Sequence, residues 1–432
     1  MTDAAKHTLY ICYFGLRQPL VQTQVIPYLQ EIAKAGIKVS LVTFEPELST
    51  NWTAEQIKAM RQEMAKKNIA WDCLAYHKRP SAIATAYDIF AGARFIRRKI
   101  RDENVDVLHG RAHVATLMGA IARKFSKRKP KLIFDIRGFL PEEYTDAGVW
   151  PENGWLFRGA KRAEKWLMRE SEGFVVLTEK ARQILFGSEP PASAGGTTTE
   201  QIADRSQIKP AHLVEVIPCC VDFENRFPVR EPTVDSEIAS RIGTKCRFVI
   251  THVGALGGLY LTEEIVDLIV AARSIEPTTF ALFLTQTDTG PIIRLLKENG
   301  FSEGDYFVGK VDPGEIPRYL DVSNVGLSFV KATYATQSRS PTKIPEYLAA
   351  GLPIIANPGV GDVDELIRED GVGVLIDRFD REAYLDALKK LVKLGDIGDR
   401  CRESARKRFD LATVGGVKYR RLYERLFCKD GS

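Results

Sequence analysis

Four polar side chains cluster at the start of segment 340–357, SPTKIPEYLAAGLPIIAN: Ser340, Thr342, Lys343 and Glu346. Serine and proline here predict a helix beginning near Thr342, because serine caps helices and proline fits their first turn. A helix start with free N–H groups, one lysine and two hydroxyls can hold a diphosphate. Glu346, one turn further along, can accept hydrogen bonds from a ribose. The alternative is an ordinary surface helix that carries a lysine and a glutamate.

The same segment, SPTKIPEYLAAGLPII, is followed by GVGDVDELI and GVGVLI. Together these runs resemble the donor-binding segment of the retaining glycosyltransferases of family four, which have the GT-B fold. In that family a Glu, seven residues and a second Glu frame the segment. The second Glu falls on Glu346 and the first falls on Ser338. The resemblance therefore implies a nucleotide-binding role for Glu346, whereas the carboxylate that touches the donor sugar in the family is missing.

Length and patterning predict two α/β domains. A chain of 432 residues is too long for one compact core. Its opening, a strand, a helix over 21–36 and a second strand, is a doubly wound start. The resemblance implies a GT-B fold, in which two Rossmann-like doubly wound domains face each other across a cleft. We expect an acceptor-side domain over 1–217 and a nucleotide-sugar domain over 218–411, with a last helix at about 412–428 packing back on the first domain.

Several loops of the first domain hold candidate site residues. Gly15 and Arg17 follow the first strand, where doubly wound sheets bind ligands. This loop lacks Gly-x-Gly-x-x-Gly, which argues against a dehydrogenase. His109 and His113 lie at the end of another strand, where they are either site residues or structural histidines. In many family members the position after the IFDI-like strand carries a histidine; here it is Arg137. The candidate catalytic residues are thus Arg137, His109, His113 and Lys343.

The second domain begins with a strand running into the Gly-rich turn GALGG, which lets backbone approach a ligand closely. In the family this turn faces the donor diphosphate, and the Gly309-Lys310-Val311 turn corresponds to the place where the nucleobase is held. The predicted donor-binding residues are Gly15, Arg17, Gly254, Leu256, Gly257, Gly258, Lys310, Val311, Ser340, Thr342, Lys343, Ile344 and Glu346.

Composition limits the possible cofactors and the compartment. The seven Cys are scattered without Cys-x-x-Cys, which indicates reduced thiols rather than disulfides or a metal site. Asp362 and Asp364 form an Asp-x-Asp, but at a helix start acids are more simply explained by the helix dipole. We expect no metal and no cofactor besides the nucleotide-diphosphate sugar as co-substrate. No apolar run reaches about 18 residues and no signal peptide opens the chain, so we expect a cytoplasmic protein.

Charge is uneven along the chain. Residues 1–217 hold 32 Lys and Arg against 24 Asp and Glu, a surplus of eight, although the whole chain has a net charge of only +5. Arg94, Arg97, Arg98 and Arg101 recur at helical spacing within a helix predicted over 81–102. This stripe is either a solvated face or a contact with an anionic membrane surface. No known nucleic-acid-binding motif accompanies the basic clusters, which argues against nucleic acid.

These observations and the resemblance imply a retaining glycosyltransferase that moves a sugar from a nucleotide-diphosphate donor to a hydroxyl acceptor, in glycan, glycolipid or glycoconjugate synthesis. Two alternatives stay open: a sugar-nucleotide epimerase of the same fold, and a non-catalytic binding subunit. The segment 188–207, rich in Pro, Gly, Ser and Thr, is expected to be a surface loop and a candidate lid.

Overall fold

The apolar runs of the chain form two parallel sheets in a computed structural model that describes residues 5–77, 79, 81–187, 213–228 and 236–428. The chain divides into a first unit, residues 1–217 with 411–432, and a second unit, residues 218–410. The candidate lid, 188–207, lies outside the described residues.

The sheet of the first unit has the strand order β3-β2-β1-β4-β5-β6-β7, with every neighbouring pair parallel. Its strands are β1 (His7–Cys12), β2 (Lys38–Pro46), β3 (Ile69–Tyr76), β4 (Val107–Arg111), β5 (Lys131–Ile136), β6 (Gly173–Val176) and β7 (Leu213–Val216). Most of these strands are buried on both faces, as in sheets covered by helices. The strand order reverses direction between β1 and β4, where such sheets bind ligands.

Helices cover this sheet. They are α1 (Pro19–Gln24), α2 (Ile26–Ala33), α3 (Leu48–Asn51), α4 (Ala54–Lys66), α5 (Ser81–Asp102), α6 (Ala112–Lys124), α7 (Leu140–Asp146), α8 (Trp155–Glu170) and α9 (Glu179–Phe186). The single helix predicted over 21–36 is wrong, because α1 and α2 meet at Val25, whose φ of −125° and ψ of −63° are not helical. Pro27 explains the break, since it has no N–H to continue the hydrogen-bond ladder.

The sheet of the second unit has the order β10-β9-β8-β11-β12-β13, again entirely parallel. Its strands are β8 (Val249–Val253), β9 (Phe280–Leu284), β10 (Tyr306–Gly309), β11 (Val325–Ser328), β12 (Ile354–Ala356) and β13 (Gly373–Leu375). Its helices are α10 (Ser236–Ile242), α11 (Thr262–Ile275), α12 (Gly290–Glu298), α13 (Ile316–Leu320), a 3-10 turn (Ala335–Ser338), α14 (Lys343–Ala349), α15 (Val363–Asp370), α16 (Arg381–Leu394) and α17 (Gly398–Phe409). The predicted α/β class, with two doubly wound sheets, is confirmed.

The end of the chain returns to the first unit as a π-helix (Leu411–Gly416) and α18 (Val417–Cys428). Polar bonds fix α18 beside β7: Lys418 Nζ donates to the Val216 carbonyl at 2.8 Å, and Arg421 Nε donates to a Glu215 carboxylate oxygen at 2.8 Å. Tyr419 and Tyr423 of α18 are buried against the sheet. Aromatic burial and ion pairing therefore explain why α18 joins a sheet far away in sequence.

Candidate functional site

The switch point of the second unit lies between β8 and β11, and the loops after these two strands are tied together. Tyr260 and Val330 form an antiparallel bridge, and Lys331 N donates to Leu259 O at 2.8 Å. Asn357, at the end of β12, receives a hydrogen bond from Val330 N at 2.8 Å and returns one to Val330 O at 2.9 Å. The crevice at the carboxyl ends of these strands, where doubly wound sheets bind ligands, therefore has rigid walls.

The glycine turn after β8 needs glycine for its backbone conformation. Gly254, Gly257 and Gly258 have φ values of 124°, 73° and 63°, in the left-handed region where a Cβ is strained. Two amides of the turn are already bonded: Leu256 N donates to Thr287 Oγ1 at 3.3 Å, and Gly257 N to the hydroxyl of Thr262 at 2.8 Å. The glycines therefore mainly provide shape and close approach, while these two amides hold the turn itself.

Lys343 lies beneath this turn and is only 4% exposed. Its Nζ lies 3.5 Å from His252 Nε2 and 4.6 Å from the centroid of the Tyr260 ring. A Cβ on Gly254 would lie 3.5 Å from the same Nζ, so glycine at 254 keeps the space above the ammonium open. Within the described residues no carboxylate lies within ion-pair distance of Lys343. Burial lowers the pKa of Lys343 to about 7.

His252 shares this pocket with Lys343 and is buried. Burial, and then the charge of Lys343, lower the pKa of His252 well below its ordinary value, so the imidazole is neutral at pH 7. Its Nε2 also lies 3.2 Å from the carbonyl oxygen of Ala255 in the glycine turn. A buried ammonium beside a neutral imidazole, with no acid within ion-pair distance in the described part of the chain, is poised to receive an anionic group.

Tyr347 fixes the orientation of α14. Its hydroxyl accepts from Val253 N at 2.7 Å, and its ring fills the space over Gly326, where a Cβ would lie 2.3 Å from a ring carbon. The helix has only seven residues, so its dipole is weak and Lys343 must supply most of the positive charge at its start.

The hydroxyls predicted to bind donor phosphate have different surroundings. Ser340 does not cap α14; its Oγ accepts from Cys219 N at 3.1 Å. Thr342 is the residue that precedes the helix, and its side chain makes no capping bond. The Ile344 side chain is buried in the core, so only its backbone can meet a ligand. Ser338, which stands where the family has its first Glu, is buried and donates to Ala335 O at 2.7 Å.

Glu346 lies one turn after Lys343, as predicted, and it has a partner that the sequence did not reveal. Arg226 Nη1 donates to Glu346 Oε1 at 2.8 Å, and Arg226 Nη2 donates to Pro313 O at 2.8 Å. Pro313 follows the turn of Lys310 and Val311, where Lys310 is exposed and the Val311 carbonyl accepts from Gln286 at 3.1 Å. The predicted ribose and nucleobase positions are thus joined by one guanidinium.

The Asp-x-Asp of α15 has a structural explanation in part. Both carboxylate oxygens of Asp364 lie within hydrogen-bond distance of Gly359 N, at 3.0 and 3.3 Å, so this side chain closes the Gly359–Gly361 turn. In the portion of the chain that the structure describes, no three His, Cys, Asp or Glu side chains group as metal ligands. Independence from metal stays a prediction.

In the first unit, Gly15 and Arg17 sit in the loop after β1. A Cβ on Gly15 would lie 2.9 Å from Pro46 Cδ, so glycine is needed there for packing against the end of β2. Glu45 holds the same loop by accepting from Leu16 N at 2.8 Å. Arg17 is exposed and stacks on Trp52, with 3.8 Å between its guanidinium carbon and the ring centroid. Both residues shape the loop, and a role towards substrate stays a prediction.

The prediction that His109 faces a ligand is wrong. His109 is fully buried in β4, and its Nδ1 lies 2.9 Å from the hydroxyl of Tyr423 on α18. It belongs to a cluster around Asp135, whose carboxylate accepts from Tyr10 at 3.2 Å and from Arg137 Nη1 at 3.4 Å. Burial opposes ionisation of Asp135, but Arg137, His109 and Arg111 together hold its pKa well below the ordinary value.

The catalytic prediction for His113 is also corrected, because its ring is turned towards α8. His113 Nε2 lies 2.9 Å from Glu164 Oε2, and the ring packs edge-on against Phe134. Lys161 completes this second cluster, with Nζ 2.5 Å from Glu164 and 2.9 Å from Glu142. The structure thus places His109 and Arg137 around the Asp135 carboxylate, and it places His113 in a separate network with Glu164. The short distance between His109 and His113 in the sequence did not indicate this separation.

Three residues of the site escaped the sequence analysis: Arg226, His252 and Tyr347. Only His252 had a usable signal, since a histidine within a buried strand that ends in a glycine turn points to the carboxyl edge of the sheet. Arg226 is 120 positions from Glu346 along the chain. Contacts across such separations have no local pattern.

Comparison with known proteins agrees with this geometry. A family profile described as "Glycosyl transferases group 1" matches residues 265–408, and one described as "Glycosyl transferase 4-like domain" matches residues 21–193. No curated protein matches the sequence closely enough to count as a relative.

Solved structures show the same fold at low sequence identity. Sucrose-phosphate synthase from Thermosynechococcus elongatus is 15% identical, with a TM-score of 0.71, over 98% of this chain and 100% of that one. Anabaena HepE in complex with UDP and glucose is 15% identical, with a TM-score of 0.66, over 97% and 99%. A UDP-N-acetylglucosamine 2-epimerase is 12% identical, with a TM-score of 0.57, over 99% and 98%.

The two Rossmann-like units define a protein of the GT-B class. Glycosyltransferase family profiles match a large part of each unit, and they support the assignment of this chain as a group 1 glycosyltransferase. Among the described residues, no helix is both long and apolar enough to cross a membrane.

Proposed function

We propose that this protein moves a sugar from a nucleoside-diphosphate sugar to a hydroxyl acceptor, with retention at the anomeric carbon. The observation that carries the proposal is Lys343, a buried ammonium without an acidic partner among the described residues, placed under a glycine turn. A diphosphate would supply the missing negative charge. Glu346, one helical turn away, is placed to accept hydrogen bonds from the ribose of the same ligand. The UDP seen with Anabaena HepE supports a nucleotide of this type.

Retention requires no protein nucleophile in this proposal. The diphosphate that leaves can itself take the proton of the acceptor hydroxyl on the same face of the sugar, while Lys343 stabilises the charge that develops. The protein then acts mainly by positioning and by neutralising charge, which also makes a metal ion unnecessary. Transfer of a sugar to a hydroxyl group forms a glycosidic bond, so the proposed role is in the synthesis of glycans, glycolipids or other glycoconjugates.

The experiment that tests the donor role begins with a calorimetric screen of nucleoside diphosphates and their sugars. We expect at least one nucleoside diphosphate to bind, and its sugar to be cleaved faster when an acceptor is added. The product anomer, read from proton coupling in an NMR spectrum, should match the anomer of the donor. Conversion of a sugar nucleotide into its epimer without acceptor would instead assign the epimerase activity, and failure of every nucleotide to bind would overturn the proposal.

We further propose that α5 docks the first unit on an anionic membrane surface, on the cytoplasmic side, where a lipid-linked acceptor is presented. Ile83, Tyr87 and Phe90 are 70%, 58% and 70% exposed, an unusual amount of large apolar surface for one helix face. They are followed in the same stripe by exposed arginines, spaced by three and four residues: Arg94, Arg97, Arg98 and Arg101. Apolar side chains can enter the interface while each arginine contributes about 1 kcal/mol near anionic lipid.

Sedimentation with phosphatidylserine vesicles tests this docking. Replacing the four arginines by Gln should abolish co-sedimentation at low salt and leave nucleotide binding intact, because the donor site belongs to the second unit. A matched control replaces four exposed lysines of the second unit, Lys297, Lys389, Lys390 and Lys393. If wild-type protein does not sediment even at low salt, the stripe is a solvated face and a soluble acceptor becomes the better proposal.

A further inference from the structure

The hydrogen bonds and burial of the Arg226 guanidinium are not explained by the stability of the ligand-free protein alone. Its guanidinium bridges Glu346 Oε1 and Pro313 O, both at 2.8 Å, and only 15% of its side chain is exposed. Its Nε is buried and makes no hydrogen bond within the described part of the chain. Buried donors without partners are rare because each costs free energy. The contact of Arg226 with Glu346 and Pro313 therefore carries a free-energy penalty, the unpaired Nε, that an arginine with a purely structural role would avoid.

The backbone of Arg226 is set by a local turn, so the guanidinium approaches Glu346 from a fixed direction. Asp222 Oδ1 accepts from the amides of Glu224 at 3.0 Å and Asn225 at 2.9 Å, and Asp222 O accepts from Arg226 N at 3.1 Å. The next residue, Phe227, is buried in the core and anchors the turn. Because both ends of the bridge are rigid, Arg226 holds the Glu346 carboxylate in one orientation.

The two oxygens of the Glu346 carboxylate therefore have different surroundings. Oε1 accepts from Arg226, and Oε2 accepts no hydrogen bond from the described residues. Arg226 thereby holds one oxygen and leaves the other with its full capacity to accept. Its second bond, to Pro313 O, places the loop of Lys310 and Val311 at a fixed distance from the same carboxylate.

We propose that Arg226 is a positioning residue for ribose selection: it orients Glu346 so that Oε2 accepts from a ribose hydroxyl, and it couples that contact to the loop at the nucleobase. This inference rests on the proposed nucleotide-sugar function. Its consequence is specificity for ribonucleotides, since a deoxynucleotide leaves the oriented carboxylate oxygen without its donor. Sites built to bond a hydroxyl reject analogues that lack it.

The test compares dissociation constants of uridine, cytidine, adenosine and guanosine diphosphates with those of their 2′-deoxy and 3′-deoxy analogues. We expect the wild type to prefer the best-bound ribonucleotide by at least about tenfold, the factor that corresponds to one hydrogen bond to a charged group. Arg226→Met should bring this ratio close to one. A purely structural arginine would weaken both ligands equally and leave the ratio unchanged.

Two further variants keep the test decisive. Arg226→Lys retains the cation but cannot bridge Glu346 and Pro313 with a planar fork, so an intermediate ratio is expected. Arg247→Met is the matched control, because Arg247 also joins one carboxylate, Asp305, at 2.9 Å, to one carbonyl, Gly304 O, within the second unit. Its ratio should equal that of the wild type.

The outcomes separate this inference from the proposed function. If no diphosphate binds the wild type, the proposed function fails. If the wild type binds nucleotides but the preference is absent, or survives in Arg226→Met, the assignment of Arg226 is overturned while the donor role stands. Should Arg226→Met fail to fold, the double variant Arg226→Met with Glu346→Gln removes both charges together, and a retained ribose preference in it would equally overturn the assignment.

Discussion

The two units both bury ionisable groups beside a parallel sheet, but they neutralise them differently. In the first unit Asp135 is surrounded by two arginines, a histidine and tyrosine hydroxyls, and its pKa is held down. In the second unit Lys343 is buried without an acid within ion-pair distance among the described residues, and its pKa falls to about 7. Removing one member of a balanced buried cluster is strongly destabilising, whereas an unbalanced buried charge indicates a place for a charged ligand.

The largest expected effect tests the first half of this comparison. Asp135→Asn removes the counter-charge of Arg111 and Arg137, so the free energy of unfolding should fall by about 3–5 kcal/mol. Because the folded-state pKa of Asp135 is depressed, its contribution is fully present above the unfolded pKa of about 4, begins to decrease below that pH, and is lost as pH falls through the folded-state pKa. Urea unfolding at pH 7 and pH 3 measures both parts.

The control for this variant is Asp399→Asn, which breaks an exposed pair with Arg402 and should change unfolding by less than about 1 kcal/mol. Nucleotide affinity should survive Asp135→Asn, since that carboxylate lies in the other unit. If Asp135→Asn is as stable as the wild type, then Asp135 does not balance the buried charges of Arg111 and Arg137.

Lys343→Met tests the second half and should act in opposite directions on activity and stability. The value of kcat/KM should drop by about 100-fold to 1,000-fold, the loss seen when one preorganised group facing developing charge is removed. The ligand-free protein should become more stable by about 3–5 kcal/mol at pH 6, because the buried ammonium is destabilising there. This gain should shrink from pH 7 towards pH 10, since the unfolded lysine keeps its proton up to about pH 10.4.

Lys161→Met is the contrasting variant, because Lys161 is a lysine of the first unit with two acidic partners, Glu142 and Glu164. It should lose about 1–3 kcal/mol of unfolding free energy, since two largely buried carboxylates would lose a cation whose own side chain is 37% exposed. If Lys343→Met and Lys161→Met change the free energy of unfolding in the same direction, the proposed difference between the two units is wrong.

A smaller effect is expected on the pH dependence of nucleotide affinity. With a pKa of about 7, Lys343 is about half protonated at pH 7 in the free protein and loses the rest of its proton as pH rises, and we expect a bound diphosphate to restore the proton. His252 is already neutral in this range and Tyr260 meets Lys343 with its ring face, so we attribute the expected pH dependence to Lys343. Affinity should therefore fall by up to about tenfold per pH unit between pH 7.5 and 9. Calorimetry in buffers of different ionisation enthalpy should detect uptake of one proton at pH 8.5, and none in Lys343→Met.

The smallest expected effect is that of chelation. EDTA should leave transferase activity unchanged, because the diphosphate charge is met by Lys343 and backbone dipoles. Full loss of activity on chelation, restored by Mn²⁺, would assign a metal role to Asp362 and Asp364. It would also mean that Lys343 and the backbone dipoles do not neutralise the diphosphate by themselves.

Local signals were enough for the architecture. Strand and helix periodicity and glycine or proline stops predicted α5 and the doubly wound opening of the first unit, because these features depend on neighbours a few residues apart, and the family resemblance implied the second doubly wound sheet. They failed at Val25, where a proline two residues later interrupts a good apolar period. The segment 340–357 also identified Lys343 and Glu346, since spacing within one helix is a local property.

The sequence by itself determined the fold class, the family and the helix that carries Lys343 and Glu346. Only the tertiary structure decided which ionisable groups are balanced: it buried His109 under Tyr423, turned His113 towards Glu164 and brought Arg226 to Glu346. The reason is physical. Secondary structure follows from interactions over a few residues, whereas the protonation and orientation of a buried charge depend on its desolvation and on partners that chain folding brings from more than 100 positions away.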